Sequence, residues 1–116
     1  MVYITNAFSL SMLGALPPAG RTIKVRPLTL EEVKSLLQGG EFVSAVGHPS
    51  TAEVISALLG VEVAPNRVAI TLGPGDRVVV FQLAVRLAEG QILSQEEVLA
   101  LYQEGKASFF EVEVVG

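Results

Sequence analysis

RVVVFQLAV, residues 77–85, is a strand-like run that is apolar on both of its alternating faces from Val78 onward. A strand with one solvated face alternates apolar and polar residues, whereas a strand covered on both faces is apolar throughout. The run therefore predicts a central strand with protein packed on both sides. Gln82 interrupts it, and if the strand continues, Gln82, Ala84 and Arg86 share one face.

Further runs rich in β-branched and aromatic residues also predict strands. They are VYIT (2–5), TIKVRPL (22–28), FVSAV (42–46), RVAITL (67–72) and ASFFEVEVV (107–115). GPGD, residues 73–76, joins RVAITL to the central run. This turn composition predicts an antiparallel hairpin between the two.

Three segments carry a helix signature in which a hydroxyl residue is followed three positions later by glutamate, the capping box. The pairs are Thr29 with Glu32, Ser50 with Glu53, and Ser94 with Glu97, and the segments end at Gly39, Gly60 and Gly105. A shorter helical turn is predicted in SLSMLGAL, residues 9–16, before two prolines that stop it.

Because strands and helices alternate along most of the chain, some neighbouring strands should be parallel. We expect an α/β fold, with a mixed central sheet of about five strands flanked by about three to four helices. A chain of 116 residues has the length of one ordinary domain, so residues 1–116 are taken as a single unit.

Composition excludes several classes of protein. There is no cysteine and one histidine, so neither a disulfide framework nor a zinc site is expected. The formal net charge of −4 argues against a binder of duplex DNA, which normally carries a basic face. No apolar run reaches the about 18 residues that cross a bilayer, and the first residues lack a signal-peptide pattern. We expect an intracellular protein without a metal or other cofactor.

The single histidine, His48, lies in AVGHPSTAEVISALLG, residues 45–60, between a predicted strand and a predicted helix. A helix start offers unpaired N–H groups and a partial positive charge to an anion, and Ser50 and Thr51 add hydroxyls. Gly47 permits an unusual backbone angle or the close approach of a ligand. A histidine beside a bound phosphate suits proton transfer. Alternatively, Ser50 only caps the helix and His48 is a loop residue.

Other polar residues follow strands that are expected to be parallel. Asn6 follows the first strand, His48 the third, and Arg86 a later one, with Glu89 in the loop beyond. Ligands of open α/β sheets collect outside the carboxyl ends of parallel strands, so these residues could line one crevice. Taken singly, Gln82 could equally be a buried amide, and Arg86 with Glu89 a surface ion pair.

Five motifs carry a resemblance that covers nearly the whole chain, from Val2 to about Val112. They are TNAFSLSML (5–13), VGHPST (46–51), NRV (66–68), RLAEG (86–90) and YQEGKASFFEV (102–112). In this order and at these separations they resemble the small viral ring nucleases. These anti-CRISPR proteins degrade the cyclic tetra-adenylate messenger of type III CRISPR systems, and relatives also occur on bacterial chromosomes.

The resemblance implies a role for each matching position. His48 corresponds to the general acid that protonates the leaving 5′ oxygen, and Arg86 and Glu89 complete the active site. Ligand contacts fall on positions matching Asn6, Ser9, Ser50, Thr51, Arg67 and Gln82, and Gly47 is added to this set for close approach. Family members often have an acidic residue after the histidine, where this chain has Pro49, and Glu-Glu where it has Ala88-Glu89. Neither departure removes a proposed catalytic group.

The implied chemistry needs no metal, because RNA supplies its own nucleophile in the ribose 2′-hydroxyl. The expected product is linear di-adenylate with a 2′,3′-cyclic phosphate. The expected assembly is a homodimer that holds one ring across its axis, with the Glu89 loop and GQILSQEE (90–97) closing as a lid. The alternatives are a sponge that binds the messenger without cutting it, and a regulatory module that binds protein or DNA.

Overall fold

Five strands form one mixed sheet in the computed structural model, which describes residues 1–38, 41–84 and 94–116. They are β1 (Val2–Thr5), β2 (Ile23–Leu28), β3 (Phe42–Ala45), β4 (Arg77–Leu83) and β5 (Ala107–Val114). The order across the sheet is β2-β5-β4-β1-β3. β1 runs parallel to both β3 and β4, whereas β5 is antiparallel to β4 and β2. The carboxyl ends of β1, β3 and β4 therefore lie at the same edge.

Three helices contribute to the larger hydrophobic core on one face of this sheet: α1 (Leu30–Leu37), α2 (Pro49–Leu59) and α3 (Gln95–Gln103). Phe81 of β4 packs there against Phe109 of β5, with ring centroids 5.1 Å apart. A smaller core on the other face includes Val78 of β4 and residues from the loops. The prediction of a central strand covered on both faces is confirmed, and so is the predicted α/β class.

Two of the predicted capping boxes are confirmed. Thr29 Oγ1 and Ser94 Oγ each accept the backbone N–H of the glutamate three residues on, at 3.2 Å in both cases. Gly60 is the C-cap of α2 and Gly105 follows the end of α3, both with positive φ. The predicted short helical turn is a 3-10 turn over Leu10–Leu13, and it ends at Gly14 before the prolines are reached. The predicted end of the first helix, Gly39, lies outside the described residues.

The predicted capping box of Ser50 and Glu53 is wrong. α2 begins two residues earlier than that box requires, at Pro49, and its N-cap residue is His48. Proline suits the first helical position because its φ is already fixed near the helical value and its missing N–H would have had no partner there. Ser50 therefore lies inside the first turn, where its side chain cannot act as the N-cap.

The predicted strand at RVAITL and its hairpin are also wrong. Residues 67–72 form irregular chain, and the two neighbours of β4 are β1 and β5. A central strand with both edges paired has no donors or acceptors left for a hairpin partner. The apolar side chains of Ile70 and Leu72 are buried in the smaller core instead, and the N–H of Leu72 donates to the carbonyl of Met12 at 2.6 Å.

Within the described part of the chain, no helix has the length and apolar character needed to cross a membrane.

The start of α1 gives a test of stability against pH. The backbone N–H of Thr29 and then the guanidinium of Arg26 hold the pKa of the Glu32 carboxyl below its ordinary value. The stabilisation is fully present above the ordinary pKa of glutamate, about 4.3, and is lost as the pH falls through the lower folded value. Glu32→Gln keeps an oxygen for the capping box but removes the charge.

We therefore expect the wild type to exceed Glu32→Gln in free energy of unfolding near neutral pH, by an amount that shrinks in acid. Urea unfolding at a series of pH values measures this difference. Glu31→Gln is the control, because its carboxylate makes only an exposed 3.9 Å ion pair with Lys34. A difference for Glu32→Gln that stays constant from neutral to acid pH would contradict the assignment.

Candidate functional site

The carboxyl ends of β1 and β3 are tied together by a buried hydroxyl. Thr5 is 2% exposed, and its Oγ1 donates to the carbonyls of Ala7 at 3.1 Å and Ala45 at 3.3 Å. The same oxygen accepts the N–H of Ala7 at 3.3 Å. These bonds fix the first residues after β1 against the end of β3. Asn6 lies in the sequence between Thr5 and Ala7, the two residues that these bonds hold.

Asn6 contacts the turn that carries the histidine. Its Oδ1 accepts the backbone N–H of Gly47 at 3.2 Å. This contact brings together Asn6 and the His48 turn, two of the three parts of the expected crevice, and the third, Arg86, lies outside the described residues. Among the described residues the Nδ2 group of Asn6 has no hydrogen-bond acceptor, so it keeps two N–H donors at this edge.

Arg67 lies beside the same turn. A Cβ placed on Gly47 would be 3.7 Å from Cγ and 4.0 Å from Nε of Arg67. The φ of Gly47 is outside the left-handed region, so the prediction of an unusual backbone angle is wrong. The close approach of a ligand to this glycine stays a prediction, because a Cβ on Gly47 would make only ordinary van der Waals contact with the Arg67 side chain.

The guanidinium of Arg67 is exposed and makes no ion pair with any residue in ranges 1–38, 41–84 and 94–116. Two other arginines differ: Arg26 Nε lies 3.0 Å and Arg77 Nη1 3.8 Å from the buried carboxylate of Glu111. Their charge is balanced within the fold. The positive charge of Arg67 is therefore available to an anion at the carboxyl edge.

A clamp on the outer edge of β3 holds the segment before Arg67. Asn66 donates its backbone N–H to the carbonyl of Val46 and its Nδ2 to the carbonyl of Ser44, both at 2.7 Å. The Oγ of Ser44 donates to the carbonyl of Ala64 at 2.6 Å. Asn66 and Ser44 were not among the predicted site residues, although Asn66 belongs to the NRV motif.

His48 stands in front of the first turn of α2. Its backbone is extended and its carbonyl accepts the N–H of Ala52 at 3.0 Å. The imidazole is exposed and makes no capping hydrogen bond. Pro49 has no N–H, and the N–H groups of Ser50 and Thr51 have no acceptor in the part of the chain that the structure describes. The helix thus offers two unpaired donors beside a free imidazole.

Gln82 is exposed on β4, so the alternative of a buried amide is wrong. It pairs across the sheet with Ser108 of β5 and lies on the face away from the helices. Thr5 pairs with Val80 in the parallel register. Gln82 therefore lies two residues farther along β4, toward the edge where Asn6 is found.

The remaining predicted residues are Ser9 and those that follow β4. Ser9 is the N-cap of the 3-10 turn, where its Oγ accepts the N–H of Ser11 at 3.3 Å. Arg86, Ala88 and Glu89 lie outside the described residues, as does the first part of the predicted lid, up to residue 93. The pairing of β4 with β5 continues to Ala84, whose N–H donates to the carbonyl of Lys106 at 2.7 Å.

The arrangement suits an anion better than a metal. It combines an unbalanced guanidinium, two unpaired helix N–H groups and two hydroxyls, which are the groups that bind phosphate. The imidazole beside them can give or take a proton. The described residues contain no group of three or more histidine, aspartate and glutamate side chains that could hold a metal ion.

Comparisons with known proteins agree with this fold. The solved structure of B116 of Sulfolobus turreted icosahedral virus (STIV) superposes with a TM-score of 0.82 and 35% sequence identity, over 97% of each chain. Uncharacterized protein 26 of Sulfolobus islandicus filamentous virus (isolate Iceland/Hveragerdi) is 37% identical over 99 residues, which is 85% of this chain and 81% of that protein.

A bacterial relative is also found. Uncharacterized protein YddF of Bacillus subtilis (strain 168) is 33% identical over 76 residues, covering 64% of this chain and 70% of that protein. The model of one protein family, described as STIV B116-like, matches residues 2–105. This match includes every described residue of the candidate site, and the chain belongs to the STIV B116-like family.

Proposed function

We propose that this protein is a metal-independent ring nuclease. It binds cyclic tetra-adenylate and cleaves it to linear di-adenylate with a 2′,3′-cyclic phosphate, which switches off type III CRISPR signalling in the cytoplasm of a prokaryotic cell. The observation that carries the proposal is the position of His48. Its exposed imidazole stands at the start of α2, beside two N–H groups that have no acceptor among the described residues, with Arg67 packed on the preceding Gly47.

The chemistry requires few protein groups. The ribose 2′-oxygen attacks phosphorus and gives up its proton to water, the P–O5′ bond breaks, and the 5′ oxygen must gain a proton. Protonated His48 supplies that proton as the general acid. The N–H groups of Ser50 and Thr51 and the guanidinium of Arg67 stabilise the negative charge on the phosphate oxygens.

The remaining contacts extend the site toward the nucleotides. The Nδ2 group of Asn6, which has no acceptor in the described part of the chain, and the exposed amide of Gln82 can bond to ribose or adenine. The hydroxyls of Ser9, Ser50 and Thr51 add further polar contacts. Arg86 and Glu89 are assigned to the active site by the resemblance to ring nucleases. In this proposal they close over the ring from the part of the sequence between β4 and α3.

Incubation of the protein with cyclic tetra-adenylate in excess EDTA tests the proposal. We expect the wild type to produce di-adenylate with a 2′,3′-cyclic phosphate. His48→Ala should lose about 10²–10⁴-fold in cleavage rate but keep most of its affinity, because the proton is needed only in the transition state. Chromatography of the products and calorimetric titration measure the two quantities.

The outcomes of this assay separate the candidate functions. Binding without cleavage by the wild type would make the protein a sponge for the messenger. The absence of both binding and cleavage would favour a regulatory module for protein or DNA. An equal loss of affinity and rate in His48→Ala would make His48 a ligand contact rather than the general acid.

A second substitution tests the loop after β4. Arg86→Ala should weaken both binding and cleavage of cyclic tetra-adenylate, because a guanidinium on phosphate acts in the ground state and the transition state alike. Titration and single-turnover rates measure both effects. Arg77→Ala is the matched control, since that arginine pairs with Glu111 and Glu113 inside the fold. Unchanged kinetics in Arg86→Ala would remove the loop from the site.

The proposed ligand also predicts an assembly. Cyclic tetra-adenylate has rotational symmetry, while one chain supplies a single His48. Two chains related by a twofold axis would present matching sites to opposite phosphates. We expect light scattering to give the mass of a dimer and calorimetry to give one ring per two chains. A monomer that binds one ring per chain would contradict this assembly.

A further inference from the structure

Arg67 needs support if it is to act as a phosphate-binding group. It lies in the irregular chain between α2 and β4, and its side chain is exposed. Holding a long flexible side chain such as that of arginine in one place costs conformational entropy. If the backbone next to Arg67 is already fixed close to the ligand, less conformational entropy is lost when the ligand binds.

Asn66 fixes the backbone immediately before Arg67. Its two hydrogen bonds go to the carbonyls of Ser44 and Val46, two residues apart on the same edge of the chain. Two bonds at separate points define both the position and the orientation of the segment, which one bond would not. The bond from Ser44 to Ala64 holds the same segment two residues earlier.

The hydrogen bonds of Asn66 also connect the segment with Arg67 to the His48 turn. Val46, which accepts the Asn66 N–H, is followed directly by Gly47 and His48. Gly47 is the residue on which Arg67 packs, and its N–H is held by Asn6. The segment with Arg67 and the turn with His48 are thus attached to the same short piece of backbone.

We infer that Asn66 is a positioning residue: by binding the outer edge of β3 through Ser44 and Val46, it holds Arg67 over Gly47 and so raises the affinity for the phosphate of the cyclic messenger. This inference rests on the proposed function. Asn66 does not touch the ligand in this account, and its effect on binding is transmitted entirely through Arg67.

A double-mutant cycle tests the inference. Affinity for cyclic tetra-adenylate is measured by calorimetry in the His48→Ala protein, in which the ligand should stay intact. Asn66→Ala should weaken binding by about tenfold, and the same substitution added to Arg67→Ala should weaken it little further, because coupled residues are not additive. With His48 restored, Asn66→Ala should raise KM more than it lowers kcat.

Two further variants separate positioning from folding. Ser56→Ala is the control, because Ser56 Oγ accepts the N–H of Val63 at 2.9 Å and anchors the other end of the same irregular segment. It should lower the melting temperature without the tenfold loss of affinity. Asn66→Asp keeps the backbone bond to Val46 but loses the donor to Ser44, so it should weaken binding even if Asn66→Ala fails to fold.

The inference is overturned if Asn66→Ala or Asn66→Asp lowers only the melting temperature, as Ser56→Ala does, or if its effect adds fully to that of Arg67→Ala. Both results presuppose a parent protein that binds the messenger, and they leave the proposed function standing. A parent protein that does not bind cyclic tetra-adenylate would overturn the proposed function together with this inference.

Discussion

The candidate site depends on the parallel pairing of β1 with a strand on each side. Because β3 and β4 both run in the direction of β1, the residues that follow all three strands come out at one edge of the sheet. The buried hydroxyl of Thr5 then ties the end of β1 to the end of β3. This arrangement brings Asn6 close to Gly47 and His48. Arg67 lies beside them because the preceding Asn66 is hydrogen-bonded along the outer edge of β3.

Within the described residues, charge is distributed so that this edge keeps one guanidinium, that of Arg67, without an ion-pair partner. Arg26 and Arg77 share the carboxylate of Glu111, whose side chain is 6% exposed. A buried carboxylate needs such partners, because removing its hydration without compensation is costly. Arg67 has no carboxylate partner among the described residues. It lies beside the His48 turn, which leads into the start of α2.

Much of the fold could be predicted from sequence, because its signals are local. The two-sided apolar pattern of β4 and the capping boxes of α1 and α3 depend on neighbouring residues only. The capping box predicted for α2 was wrong, because Pro49 occupies the first helical position and His48 is the N-cap in place of Ser50. RVAITL has the composition of a strand, but the paired edges of β4 left it no place in the sheet.

The site was predictable to a smaller extent. Strand order and direction sufficed to bring Asn6 to the His48 turn, whereas the clamp of Asn66 on Ser44 depends on the path of an irregular segment, which no local pattern specifies. The central claim is that a phosphate of the ligand binds at the start of α2. Titration of isotope-labelled His48→Ala protein with cyclic tetra-adenylate, followed by amide NMR, tests it directly. We expect the largest shifts at the N–H groups of Ser50 and Thr51, and binding that leaves these two resonances in place would contradict a phosphate site at this helix start.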